Sequence, residues 1–298
     1  MSSDTCVAFA CKYIKRNRKK KISLRTNDLN ILFIADIMGK PGRWAVSQIL
    51  PELKKIHQID FTIANVENAA GGFGLTKEIA QKIHHYGVDC LTSGNHIWDR
   101  KDIFSYLNES LRILRPANYP PDVPGRGAAI FDLKNDSKIG VVNIQGKVYI
   151  KEIDCPFRIA DKEIEKIREQ TKIIIVDLHA EATSEKMALG WYLDGKVSAV
   201  LGTHTHVQTA DEIILPQGTA YITDVGMTGP HDSVIGIIKE DAIARFLTQI
   251  PRRFTLAKDD IKFCGALVKI DPDSGKALSI ERIRMDLPQL EDDNAEKI

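Results

Sequence analysis

Cysteine is scarce in this 298-residue chain, with five in all (Cys6, Cys11, Cys90, Cys155 and Cys264) and no C-x-x-C pair. An odd count without paired spacing argues against a disulfide framework or a zinc ribbon and fits a reducing compartment. Long apolar runs are also missing, so nothing reaches the length of a membrane span. The short apolar stretch at residues 6–10 is too brief for a signal peptide, and its basic residues follow it instead of preceding it. The expectation is a cytoplasmic protein with no membrane partner. Net charge is only +1, so the chain as a whole favours neither an acidic nor a basic partner. No G-x-G-x-x-G follows the first apolar run, which argues against a nucleotide dehydrogenase.

What is present is ordinary globular composition, 43% hydrophobic and 27% charged, in a length ample for one large core. The charge is unevenly spread. Residues 1–29 carry eight Lys and Arg against two acids, a net of +6, which leaves −5 for the rest. The run Lys15-Arg16-Asn17-Arg18-Lys19-Lys20-Lys21 repels itself and has no apolar face to bury. Residues 1–29 are therefore expected to be a disordered basic extension, either merely solvated or an arm that touches RNA or anionic lipid. A body at 30–285 and an acidic tail at 286–298 complete the organisation, with no repeat or linker between them. Nothing in the pattern decides between a monomer and a homo-oligomer.

The body alternates strand and helix signals. Apolar runs at 31–35, 61–64 and 88–92 are of buried-strand length. Between them, Trp44, Ile49, Leu53 and Ile56 recur at helical spacing, with Pro51 expected to bend or split the helix. Thr76 is placed to cap a helix that Gly87 ends. This alternation implies parallel strands with right-handed crossovers. The same grammar returns as strands at 138–144, 173–176, 197–201 and 220–222, with helices at 161–170 and 238–247. A closing hairpin follows at 264–270 and 278–285. So many strands without a gap fit two packed sheets with outer helices.

Several of these strands run into residues that bind metals: Asp36, Glu67-Asn68, Asn95-His96, Asp177-Leu178-His179, His204-Thr205-His206 and Asp224. Ligands of α/β sheets gather outside the carboxyl ends of the strands, and mixed carboxylate, amide and imidazole donors suit first-row transition metals. In extended chain, His204 and His206 face one side and can enter one site. Glu67 after an apolar strand has little structural reason to be there, and its carboxylate can bridge two cations. Asp177 or Glu181 can serve as acceptors that orient a ligating histidine. Gly94 permits a sharp turn that splays Asn95 and His96, and Gly39-Lys40-Pro41-Gly42 reads as another turn.

With these residues in hand, the chain resembles the calcineurin-like metallophosphoesterases through Gly94-Asn95-His96 and Gly202-Thr203-His204-Thr205-His206. It is more closely similar to one branch, the YmdB-like 2′,3′-cyclic-nucleotide 2′-phosphodiesterases. The matching stretches are residues 33–43, 67–70, 94–99, 115–118, 177–186, 202–211 and 223–230, so the likeness spans about 30 to 285. The superfamily's Asp-x-His is Asp36-Ile37-Met38 here, and its Gly-Asp is Glu67-Asn68; both departures belong to the YmdB-like branch. The resemblance implies a four-layer α-β-β-α sandwich of two packed mixed sheets. It also implies two divalent metal ions, iron or manganese. Asp36, Glu67, Asn68 and His206 would hold one, and Glu67, Asn95, His179 and His204 the other, with Glu67 bridging and His96 as the proton donor.

The implied reaction is hydrolysis of 2′,3′-cyclic nucleotides, or related RNA-derived phosphoesters, to 3′-nucleotides. Two alternatives stand beside it: a phosphodiesterase, phosphatase or RNase acting on another phosphoester, and an RNA-binding regulatory scaffold whose metals are structural. Arg115 and Lys186 are candidates to contact phosphate, and Phe73, Trp98, Tyr149, Trp191 and Tyr192 to stack on a base.

Overall fold

The computed structural model describes residues 27–133 and 137–288. Most of the basic extension and of the acidic tail lie outside the described residues. In chain order the elements begin β1 (Leu29–Ile34), β2 (Asp36–Ile37), α1 (Gly39–Ile56), β3 (Phe61–Asn65), α2 (Lys77–His85) and β4 (Cys90–Thr92). A 3₁₀ turn (Asn95–Asp99), α3 (Ile103–Glu109), β5 (Ala128–Asp132), β6 (Lys138–Gln145), α4 (Pro156–Arg168), β7 (Ile174–His179), α5 (Thr183–Tyr192) and β8 (Ala199–Thr203) follow. The chain closes with β9 (Ile213–Ile214), β10 (Ala220–Ile222), β11 (Met227–Pro230), α6 (Lys239–Thr248), β12 (Ile261–Ile270) and β13 (Ala277–Asp286).

These strands form two mixed sheets. The first runs β2-β11-β12-β1-β3-β4, with β13 also paired to β12. The second runs β5-β6-β7-β8-β10-β9. The expected parallel crossovers are present, since β1 pairs with β3, β3 with β4, β6 with β7, β7 with β8 and β8 with β10, all parallel. Strands read as unbroken apolar runs are buried on both faces, and three side-chain clusters show why. Ile31, Phe33 and Ile63 of the first sheet meet Val141, Ile175 and Leu201 of the second in a central core. Leu32, Ile34 and Ala64 point the other way, onto Val46, Ile49 and Leu50 of α1 and Ile83 of α2. Val142, Val176 and Val200 pack on Ile164 of α4 and Leu189 of α5. The result is the four-layer α-β-β-α sandwich, with two packed mixed sheets inside.

Local signals held in most places. The Thr76 hydroxyl accepts from the Ile79 N–H at 3.3 Å, and Gly87 takes φ +106° just beyond α2. Two expectations need correction. Gly39-Lys40-Pro41-Gly42 is not a free turn but the first turn of α1, where a proline costs little because its N–H would have no helical partner. Pro51 does not split that helix, which stays continuous around it. The buried stripe Val46, Ile49, Leu50 and Leu53 outweighs the missing hydrogen bond.

At the end of β8 the backbone following its sheet neighbour β10 comes close, and a methyl group on Gly202 would collide with the backbone carbonyl oxygen of Thr223. Gly202→Ala is expected to lower unfolding free energy by about 2 kcal/mol or more, because backbone cannot yield as a flexible side chain does. Urea denaturation checks this, and a shift under about 0.5 kcal/mol would contradict the crowding.

Candidate functional site

The carboxyl ends of β1, β3 and β4 in one sheet and of β7 and β8 in the other open onto one place. Asp36 follows β1, Glu67 and Asn68 follow β3, Asn95 and His96 follow β4, His179 ends β7, and His204 and His206 follow β8. All eight predicted residues meet at this edge. Asp36 and His179 are fully buried, and Glu67 and Asn68 nearly so.

Contacts divide the cluster into two halves about Glu67. On one side, Glu67 Oε1 lies 3.1 Å from His179 Nε2, which lies 3.0 Å from His204 Nδ1. Glu67, His179 and His204 offer ligand atoms all within 4.8 Å of one another. On the other side, His206 Nε2 lies 3.4 Å from Asp36 Oδ2. The second Glu67 oxygen accepts from the His96 backbone N–H at 3.2 Å. Close approach of the strand-end turn is part of the design: a Cβ on Gly94 would fall on Glu67 Oε2 and His179 Nε2.

Three oxygens decide whether metals fit this cluster. Asp36 Oδ1, Asn68 Oδ1 and Asn95 Oδ1 are buried with no hydrogen-bond partner. Buried polar oxygens are otherwise almost always paired, and leaving one unpaired costs about 1–3 kcal/mol. The Asn68 amide is fixed by donation from Nδ2 to the Gly72 carbonyl at 2.9 Å, which commits its oxygen to the unpaired role. Three orphaned oxygens beside three imidazoles and a central carboxylate form a donor set that suits divalent first-row cations.

Around this set, neighbours orient the imidazoles. His179 Nδ1 meets Thr203 Oγ1 at 3.0 Å, and that hydroxyl donates to Asp177 Oδ1 at 2.7 Å. Asp177 also accepts from Asn65 Nδ2 at 3.0 Å. His204 Nε2 pairs with Glu181 at 3.1 Å, and His206 Nδ1 donates to the Ile235 carbonyl at 2.9 Å. Both residues expected to orient a histidine therefore do so, Asp177 through a hydroxyl and Glu181 directly. His204 and His206 depart from the expected conformation. They are not in extended chain, because φ is +99° at His204 and +64° at His206. Non-glycine residues in that region carry strain that persists only where surroundings impose it.

The imposing contacts come from below. Lys186, fully buried, donates to Asp224 Oδ2 at 2.6 Å and to the Thr203 carbonyl at 2.7 Å. Asp224 Oδ2 also accepts from the Thr205 N–H at 3.1 Å and its hydroxyl at 2.8 Å. Lys186 is thus a clamp on the His204–His206 turn, not a phosphate contact, and Asp224 is its counter-charge, not a member of the ligand cluster. Arg115 likewise turns to backbone, donating to the Pro116 carbonyl at 2.8 Å. Sequence reasoning missed the Thr203 hydroxyl as the link between His179 and Asp177, and it missed the partner of His96. His96 Nδ1 lies 2.8 Å from Asp99 Oδ2, a spacing of three that a 3₁₀ turn eclipses and that was legible in principle.

Electrostatics follow from this crowding. Burial raises the Asp36 carboxyl well above its ordinary value, and the nearby Glu67 carboxylate adds to the shift. Burial also works to raise Glu67, but attraction and hydrogen bonding from His179 outweigh it and bring the group to about 2. The same pair lifts His179 to about 9 against the effect of its burial. Burial, then the charge of His179, lowers His204 to about 3. Burial likewise lowers His206. Two of the three imidazoles are thus kept neutral, the form that ligates a metal, and the third holds a proton that a cation can replace.

The clamp yields a direct test. Lys186→Met leaves Asp224 buried without its counter-charge and is expected to cost about 3–5 kcal/mol of stability by chemical denaturation. A loss below about 1 kcal/mol would show that the pair does not hold the turn.

Comparison with known proteins places this geometry. A family model described as YmdB-like protein matches residues 32–283. The chain is 49% identical over 255 residues to the 2′,3′-cyclic-nucleotide 2′-phosphodiesterase of Bacillus subtilis, covering 86% of this chain and 96% of that one. Among solved structures, a hypothetical protein from Thermus thermophilus superposes with a TM-score of 0.82 at 42% identity, over 87% of this chain and 100% of the other. A phosphatase of Mycoplasma pneumoniae gives a TM-score of 0.83 at 34% identity, over 87% and 94% of the two chains. Matched along nearly the whole body, this chain belongs to the YmdB-like protein family.

Proposed function

We propose that the protein is a dinuclear metal-dependent phosphodiesterase that opens 2′,3′-cyclic nucleotides to 3′-nucleotides. The observation that carries the metal part is the set of three orphaned buried oxygens, Asp36 Oδ1, Asn68 Oδ1 and Asn95 Oδ1, on the strand ends that also bring Glu67, His179 and His204 within 4.8 Å of one another and His206 against Asp36. The substrate part rests on the likeness to the Bacillus subtilis enzyme.

Asp36, Glu67, Asn68 and His206 would hold one cation, and Glu67, Asn95, His179 and His204 the other. Donor chemistry admits iron, manganese and other first-row metals, with iron or manganese favoured by the family likeness. When bound, two such cations would neutralise phosphoryl oxygens and lower the pKa of an attacking water.

The chain's own contribution to the chemical step centres on His96. Its Nδ1 is engaged by Asp99, which fixes the ring and leaves Nε2 free to deliver a proton. As the P–O2′ bond breaks, that proton goes to the departing 2′-oxygen, which otherwise leaves as a poor alkoxide, and the phosphate remains on the 3′-oxygen. Phe73 packs its ring edge to face with His96, centroids 5.0 Å apart, and limits the positions open to the imidazole. The backbone N–H of His96 on Glu67 ties the proton donor to the centre of the ligand cluster. Among the described residues no helix is long and apolar enough to cross a membrane. The setting proposed is the cytoplasm.

His96→Ala is expected to lower kcat on 2′,3′-cAMP by about 10²–10⁴-fold while metal content measured by elemental analysis stays at the wild-type level. Loss of metal in that variant would make His96 a ligand and overturn its assigned role. Removing metal with a chelator should abolish turnover of 2′,3′-cAMP, with recovery on adding manganese or ferrous iron. Product analysis should give 3′-AMP. Preferential cleavage of RNA or of simple phosphomonoesters would replace the cyclic-nucleotide reading with another phosphoesterase, and full activity without metal would remove the dinuclear one.

A further inference from the structure

A metal cluster can grip phosphate, but recognising a nucleotide also takes a surface for the base, and the structure offers one beside the cluster. A groove of about 360 Å³ is lined by Trp98, Tyr119, Pro120, Val123, Lys151, Glu152 and Ile153. This lies within the usual size of small-molecule sites, roughly 300–1,000 Å³. We propose that this groove is the nucleobase subsite of the active centre. The inference rests on the phosphodiesterase reading and names which part of the substrate the groove takes.

Position is the first argument. Trp98 stands two residues beyond His96 in the same 3₁₀ turn, so one short element carries both the proton donor and a wall of the groove. On its far wall, the Tyr119 hydroxyl donates to Gln145 Oε1 at 3.3 Å. Gln145 is the last residue of β6 and pairs in register with His179 of β7. Neighbouring strands lie about 4.8 Å apart, so Gln145, which the Tyr119 hydroxyl contacts, stands one strand from His179. Two independent connections, one through the 3₁₀ turn and one across the sheet, therefore set it against the cluster. Burial pushes the Tyr119 phenol up against the opposing hydrogen bonds of Trp98 and Gln145, and the charges of Glu67 and Asp99 add to the rise.

Chemistry is the second argument. Trp98 and Tyr119 meet edge to face with centroids 5.3 Å apart, and Phe104 braces Trp98 from behind at 5.6 Å. Trp98, braced by Phe104 and the buried Tyr119, offers apolar surface with Pro120 and Val123 to a planar ring, a contact worth about 1–3 kcal/mol per base. At the rim, Lys151 and Glu152 are exposed and can meet the polar edge of a base as donor and acceptor. Gln145 Nε2 is buried without a partner where groove and cluster join, leaving a donor uncommitted there.

The other aromatic candidates have different employment. Phe73 packs on His96. Tyr149 is 89% exposed, without a wall to make a subsite. Tyr192 lies over Phe157 and under Lys196 on the α4–α5 side, and Trp191 is its exposed neighbour. Because every base has an apolar face, the subsite should accept purines and pyrimidines alike and discriminate chiefly against substrates with no base.

The test compares 2′,3′-cAMP with the base-free methyl riboside 2,3-cyclic phosphate, using the metal-loaded full chain, Val123→Phe to fill the groove and Trp98→Leu to remove its wall. The ratio of kcat/KM for the nucleotide over the base-free ester should fall at least tenfold in both variants, through KM. A ratio unchanged in both would overturn the subsite. A second measurement needs no turnover: the chain has three tryptophans, and on titration with adenosine the Trp98 indole N–H resonance should shift in the wild type and not in Val123→Phe. Absence of that shift in the wild-type protein would also overturn the proposal. If the wild type hydrolyses neither ester, the phosphodiesterase reading fails, and the adenosine titration still decides whether the groove binds a base.

Discussion

Everything at this site depends on burying more negative charge than the chain can neutralise. Asp36, Glu67, Asp177 and Asp224 sit within 1% of full burial at the junction of the two sheets. Lys186 balances Asp224, and Thr203 and Asn65 satisfy Asp177 by hydrogen bonds. His179 answers Glu67 only by carrying a proton that burial alone would remove. Asp36 is left with one oxygen unpaired and a carboxyl driven toward its neutral form. A buried carboxylate is stable only when paired or coordinated. The cluster is therefore short of positive charge, Asn68 and Asn95 carry unpaired buried oxygens, and divalent cations would resolve both deficits together.

The fold exists, in functional terms, to bring strand ends from two sheets to one edge. Neither sheet holds the full donor set: one gives the carboxylates and amides, the other the imidazoles. Their mutual placement is set by the central core between the sheets, so the precision of the site is inherited from apolar packing. Local strain at His204 and His206 then aims two rings that a straight strand would have directed differently. The Lys186–Asp224 clamp is what makes that strained turn the stable one.

Much of this was legible in the residues because the relevant signals were local. Unbroken apolar runs such as Ile31–Ala35 declared parallel strands covered on both faces, and polar ligand types at their ends declared the working edge. Thr76 and Gly87 marked the ends of a helix by their own backbone chemistry. What stayed hidden was set by tertiary contacts. Periodicity around Pro51 could not weigh a lost hydrogen bond against a buried stripe. An H-x-H pattern has the same spacing whether the chain is extended or turned, so the left-handed conformation was invisible. Lys186 looked like a phosphate contact because charge without a known partner reads as available; its partner, Asp224, is 38 residues away. Tyr119 and Gln145, which join the groove to the cluster, carry no motif at all.

The central claim is that two cations share Glu67. It is tested most directly by anomalous diffraction from crystals of the manganese-loaded full chain. The account predicts two peaks bridged by the Glu67 carboxylate, one flanked by Asp36, Asn68 and His206 and the other by Asn95, His179 and His204. A single peak, or peaks that leave Glu67 unligated, would contradict it.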